Sequence, residues 1–207
     1  MKKVTSIFYG ALAATLLGGG ANAAVIGVDS DCGGTGTGLT GTFTCSPDAG
    51  RNDVSKIEIF ENGAATGDND FFSLGLGGTL VVEFDPAFTG PAMVVEITNN
   101  GPASSHKEAV EIFGSNDGSL FTSLGVADNQ GGLNDGTRGT KSTITFTGVY
   151  AFLGFRDITE SFFPGTGSTD GFDIDAISVN SVPLPASALL LMAGVVGLGG
   201  LGARRKG

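Results

Sequence analysis

Ala109-Val-Glu-Ile-Phe-Gly-Ser-Asn-Asp-Gly-Ser-Leu-Phe121, followed by Ser123-Leu124-Gly125, spells strand, tight turn and strand in residue types alone. Val110 and Ile112 alternate against Ala109, Glu111 and Phe113, the period of a pleated strand with one face turned inward. Asn116-Asp117-Gly118 then supplies residues that tolerate the positive φ of a tight reversal.

The pattern repeats on both sides of this hairpin. Strands are predicted at Lys56 to Phe60, Thr79 to Phe84, Met93 to Thr98, Ala109 to Gly114, Leu120 to Leu124, Ser142 to Phe146, Tyr150 to Arg156 and Phe172 to Val179. Each is short and bounded by Gly, Pro, Asn or Asp. Alternation is clear again where Ile144 and Phe146 oppose Thr143, Thr145 and Thr147. No helical period interrupts the series, and no repeat of solenoid length is present. Eight short strands in one stretch predict an all-β fold, an antiparallel β-sandwich of jelly-roll type. Fifteen phenylalanines and no tryptophan are available for its core.

The hairpin resembles that of discoidin-like (coagulation factor 5/8 type C) domains, in which a Ser-x-Asp-Gly turn leads to an aromatic. Phe146 to Asp157 and Phe172 to Val179 resemble later strands of the same galactose-binding-like jelly roll. Phe121 stands where that family usually has Trp, and no loop cluster of aromatics and arginine marks a sugar pocket. The resemblance implies the fold rather than a ligand.

Both ends read as targeting sequence. Lys2 and Lys3, the apolar stretch Ile7 to Leu17 and the small residues Ala21-Asn22-Ala23 form a signal peptide, with signal peptidase expected to cut between Ala23 and Ala24. At the other end, about 17 uncharged residues from Ser187 to Ala203 would reach roughly 25 Å as a helix, close to the thickness of bilayer hydrocarbon. Arg204, Arg205 and Lys206 would hold the terminus on the cytoplasmic side. Val182-Pro183-Leu184-Pro185-Ala186 precedes this span, and its two prolines enforce an extended, helix-free approach. One reading is a simple tail-anchored envelope protein.

Val182 to Lys206 also resembles the sorting segment of PEP-CTERM proteins in its VPLPA-CTERM form. That resemblance implies recognition by an exosortase-type processing enzyme of Gram-negative bacteria and delivery to the cell surface or extracellular matrix. The chain then divides into a signal peptide (1–23), a Gly/Thr-rich segment (24–55), a β-sandwich (56–181) and a sorting signal with a transmembrane helix (182–207).

Of the 11 basic residues five lie in these two ends, so six remain against 21 acidic ones, a net charge of about −15 on the exported part. A surface of that sign repels phosphate backbones and speaks against nucleic acid. Cys32 and Cys45, an even pair in an oxidising compartment, are expected to form a disulfide stabilising by about 3 kcal/mol in the loop-entropy model. Asp173 and Asp175, two apart on the last strand, are expected to share a face, and Asp68 and Asp70 could add oxygens. These four residues form a candidate calcium site of structural purpose. Two other readings of the strand pair stand beside it: carboxylates keeping one face solvated, and charges guarding an edge strand. His106, the one histidine, lies in the loop Gly101-Pro-Ala-Ser-Ser-His-Lys107 and reads as a surface residue rather than a base for Ser104 or Ser105.

Three classes follow. The first is a non-enzymatic surface or matrix protein, the second a lectin-like module acting on exopolysaccharide. The third is a hydrolase using Asp173 and Asp175, for which no cleft or second catalytic strand is identifiable.

Overall fold

A computed structural model of the 207-residue chain describes residues 22–28, 38–39, 46–61, 68–98, 105–131, 133–134 and 139–182. Cys32, Cys45, the residues before Asn22, the apolar span and the basic tail lie outside these. So do Pro183 to Ala186 of the expected sorting motif. Among the described residues no helix is long and apolar enough to cross a membrane.

Among the described residues ten strands make the fold: β1 (Asn22–Val28), β2 (Glu58–Glu61), β3 (Phe72–Ser73), β4 (Thr79–Ile97), β5 (Ala109–Ser115), β6 (Thr122–Asp128), β7 (Leu133–Asn134), β8 (Gly139–Ile144), β9 (Val149–Asp157) and β10 (Asp173–Ser181). One helical turn, α1 (Thr159–Phe162), and two 3-10 turns complete the described elements. The all-β expectation holds.

β4 organises the sandwich. Its first half pairs with β1 and β9, and its second half with β10 and β8. One layer therefore runs β1-β4-β9-β5-β6 and the other β2-β10-β4-β8-β7, with β4 passing from one to the other. The sequence reading split β4 in two because Pro86 and Pro91 interrupt it. The strand tolerates Pro86 because the ladder to β9 skips from Glu83 to Phe88, so no bond is asked of the missing N–H. A second difference is the β2–β10 pair, which is parallel. More than 100 residues separate those strands, so no hairpin imposes the antiparallel sense.

The core lies between the layers. Leu80, Val82 and Phe84 of β4, Val110 and Ile112 of β5, Leu153 and Phe155 of β9, and Ile174, Ile177 and Val179 of β10 all contribute. Phe72, Phe88 and Phe172 are buried with them, and burying each such side chain stabilises by about 1.5–3 kcal/mol. Phe84, Phe88, Phe146 and Tyr150 contact ring to ring at 4.9–6.3 Å. The alternation read at β8 is observed, with Ile144 and Phe146 half-buried and Thr143, Thr145 and Thr147 exposed.

The hairpin forms where expected. Asp117 Oδ1 accepts from Ser119 N at 2.9 Å and Leu120 N at 2.8 Å, and Ser115 Oγ accepts from Gly118 N at 3.0 Å. Gly118 sits at φ +68°, where a side chain would be strained.

β10 departs from the expected pattern. The ladder to β4 shifts between Ile174 and Ala176, placing Asp175 at a bulge. Core positions before it are Phe172 and Ile174, and after it Ile177 and Val179. The bulge breaks the alternation on which a shared face for Asp173 and Asp175 depended. β10 is also an inner strand between β2 and β4, so the edge-guarding reading does not apply. Both aspartates are buried, which removes the solvated-face reading.

Candidate functional site

The end of the sandwich where β4 finishes and β5 and β10 begin gathers the chemistry. Glu96 is the last residue but one of β4, Glu108 immediately precedes β5, Asp170 lies in the loop before β10, and Asp173 opens β10. Their exposures are 1%, 3%, 8% and 5%. One carboxylate oxygen each from Glu108, Asp170 and Asp173 lies within 4.8 Å of the other two. Among the described residues no other trio of this kind converges.

A polar scaffold holds these carboxylates in place. Thr98 Oγ1 donates to Glu96, 2.6 Å from one carboxylate oxygen and 2.7 Å from the other. Asn129 Nδ2 donates to Thr98 Oγ1 and to the His106 carbonyl, both at 2.9 Å, while its Oδ1 accepts from Glu108 N at 3.0 Å. Ser73 Oγ donates to Asp173 Oδ1, and Arg51 pairs with Asp170. Among the described residues Arg51 is the one cation paired with these four acids, and its guanidinium also lies 5.1 Å from the Phe71 ring centroid.

The electrostatics are unbalanced. Burial pushes Glu108 far above the usual carboxylate range, with the charges of Asp173 and Glu96 adding to it. Burial also raises Glu96 and Asp173, the latter further raised by Asp170. No donor reaches the buried Glu108 Oε2, and the Glu108 and Glu96 carboxyls meet side chain to side chain. Like charges in a dry setting do not all ionise without a compensating proton or cation.

Of the four residues expected to hold calcium, only Asp173 belongs to this group. Asp175 Oδ2 accepts from Asn69 N at 3.2 Å, and burial, with Asp68 nearby, pushes Asp175 up to about 6. Asp68 turns an oxygen to Asp70 N at 2.9 Å, and exposed Asp70 pairs with Lys56 at 2.5 Å. The structure thus assigns Asp173 and Asp175 to separate surroundings, and the set of four does not meet as one site. Glu96, Glu108 and Asp170 were not singled out in the sequence. A signal existed for two of them: Glu96 shares the parity of core residues Ala92 and Val94, and Glu108 that of Val110 and Ile112.

A cleft opens beside this cluster. Ser105, Lys107, Phe162, Phe163, Pro164 and Thr166 line about 370 Å³. Phe162 is 46% exposed, its ring meets that of Phe163 edge to face at 4.9 Å, and Lys107 Nζ lies 5.9 Å from the Phe163 centroid. The two walls are fastened together: Thr166 Oγ1 donates to the Lys107 carbonyl at 2.7 Å, and Gly167 N donates to the Ser105 carbonyl at 3.1 Å. His106 between them is half-buried, and its carbonyl accepts from Asn129 Nδ2.

A second aromatic–arginine group lies on the outer face of β5 and β9. Arg156 pairs with Glu111 and stands 4.9 Å over the Phe113 ring, beside Phe121. Leu39 packs over Gly154 at this spot and covers it. Neither group was legible as a cluster, because each draws residues from segments far apart in the chain.

No family model and no curated protein matches the chain. Among solved structures it is similar to a pectin-binding carbohydrate-binding module, at 19% identity and TM-score 0.39, covering 61% of this chain and 81% of that one. It is also similar to the family 32 carbohydrate-binding module of Streptococcus pneumoniae EndoD, at 12% identity and TM-score 0.41, with coverages of 77% and 96%. The C-terminal domain of a Bacteroides fragilis chitobiase gives 14% identity and TM-score 0.41 over 71% and 93%.

Proposed function

We propose that this chain is an exported, non-catalytic β-sandwich that binds carbohydrate through the cleft between Lys107 and Phe162. The observation that carries this reading is the half-exposed Phe162–Phe163 pair, with the Lys107 ammonium beside it, in a cleft of about 370 Å³. An exposed aromatic face packs on the apolar face of a sugar ring, while an ammonium and the Ser105 and Thr166 hydroxyls suit its oxygens. The walls are already tied together, so little ordering cost attends binding. Exopolysaccharide of the surrounding matrix is the natural partner.

The two ends support export. The signal peptide would deliver the chain across the inner membrane, and Val182 to Ala186 with Arg204, Arg205 and Lys206 would present it to an exosortase-type enzyme for release to the surface or matrix. The lasting tail anchor is the competing outcome.

The test is a glycan array on the mature protein, followed by titration of any hit against Phe162→Ala and Lys107→Ala. Binding weakened at least tenfold by Phe162→Ala supports the reading. Silence across the array, or equal affinity in the variants, overturns it.

A further inference from the structure

We propose that Glu108, Asp170 and Asp173, with Glu96 behind them, hold one divalent cation of the calcium type, at a place distinct from Asp68 and Asp175. Two independent observations carry this. The first is convergence: two oxygens bound to one calcium at about 2.4 Å lie no more than about 4.8 Å apart, and the three carboxylates satisfy that limit pairwise. The second is an unmet demand: no donor reaches the buried Glu108 Oε2, and the Glu108 carboxyl meets that of Glu96 in a contact that only a shared proton or a cation can bridge.

The chemistry of the donors selects the ion. Carboxylates make up the group, with the Ser168 hydroxyl beside Glu108. An all-oxygen set favours hard cations over zinc or copper. Charge agrees with this, because Arg51 neutralises one of four buried acids and a dication would offset two more. Asp175 also has a buried oxygen without a partner, and Asp68 and Glu58 lie near it, yet no trio of carboxylates converges there among the described residues.

A cation here would join three segments: the end of β4, residues 105–108, and the loop 158–172 that carries Phe162. The site would thereby couple the stability of the loop end to calcium without depending on what the cleft binds.

The experiment uses the mature protein freed of metal by chelation. Calcium titrated by calorimetry should bind one equivalent at this cluster, and a hundredfold excess over Kd should raise Tm by about 5–10 °C. The near-isosteric Glu108→Gln and Asp173→Asn variants should lose that rise, whereas Asp68→Asn should keep it. Circular dichroism on each variant reports whether it folds, and the wild-type titration stands independently of all of them. No heat and no Tm change in the wild type would overturn the proposal and leave a proton-sharing acid cluster. Calcium binding lost in Asp68→Asn but retained in folded Glu108→Gln would overturn it as well.

Discussion

Asp117 shows how much one exposed carboxylate can organise. Its oxygen accepts the N–H groups of Leu120 and Ser119, and these bonds favour the ionised form, holding its pKa down to about 2 against an ordinary 3.8. The sign follows from linkage: the folded turn prefers the charged side chain, so its contribution is present above about 4 and is lost as pH falls through about 2. An NMR titration of the Asp117 carboxylate should give a midpoint near 2. A midpoint near 3.8 would mean that the turn bonds are not made in solution. Asp117 and Gly118 were readable because a tight turn makes local demands that neighbouring residues meet. Glu96 and Glu108 showed only the parity of core positions, since their roles are set by residues up to 77 positions away, such as Asp173, which feels the charge of Glu96.

At the scale of the elements, the same contrast between local and distant causes recurs. Hairpin β5–β6 follows from its own sequence, but its width of approach to β9 does not. A Cβ at Gly114 would come within 2.7–2.9 Å of three Tyr150 ring atoms, two positions along from Ile112, whose side chain is in the core. Gly114→Ala should therefore force the ring aside and destabilise by about 1–3 kcal/mol in chemical denaturation. Tyr150→Ala in the same background should relieve part of that loss, whereas additive effects would place the strain elsewhere. Strand existence was legible from alternation across most of the chain. The bulge at Asp175 and the passage of β4 between layers were not, because both depend on which partner lies alongside, and a one-residue shift turns every side chain to the opposite face.

At the scale of the whole molecule, the two ends and the fold meet at defined places. Val182 N donates to the Ala87 carbonyl at 2.8 Å, so the first residue of the Val-Pro-Leu-Pro-Ala segment is still fastened to the sandwich. At the other end, β1 begins at Asn22, and the expected cut between Ala23 and Ala24 falls inside it. Cleavage would remove the partners of Asp85 and Phe84 and leave Ala24 opposite Glu83, with Val25, Gly27 and Val28 still in register against Val82, Val81 and Leu80. A shortened β1 can persist on that remaining ladder, so export and folding are compatible. Intact mass of the protein recovered from its native envelope and medium should therefore show Ala24 as the first residue. It should also show loss of the residues after the Val182–Ala186 motif. The Pro183→Ala, Pro185→Ala variant should stay full length at its C-terminus and remain with the membrane. A wild-type C-terminus still ending at Gly207 would make the span a lasting anchor. The acid cluster and the Phe162 cleft lie where β10 starts, at the opposite end of that strand from Val182, so either outcome leaves them pointing away from the attachment.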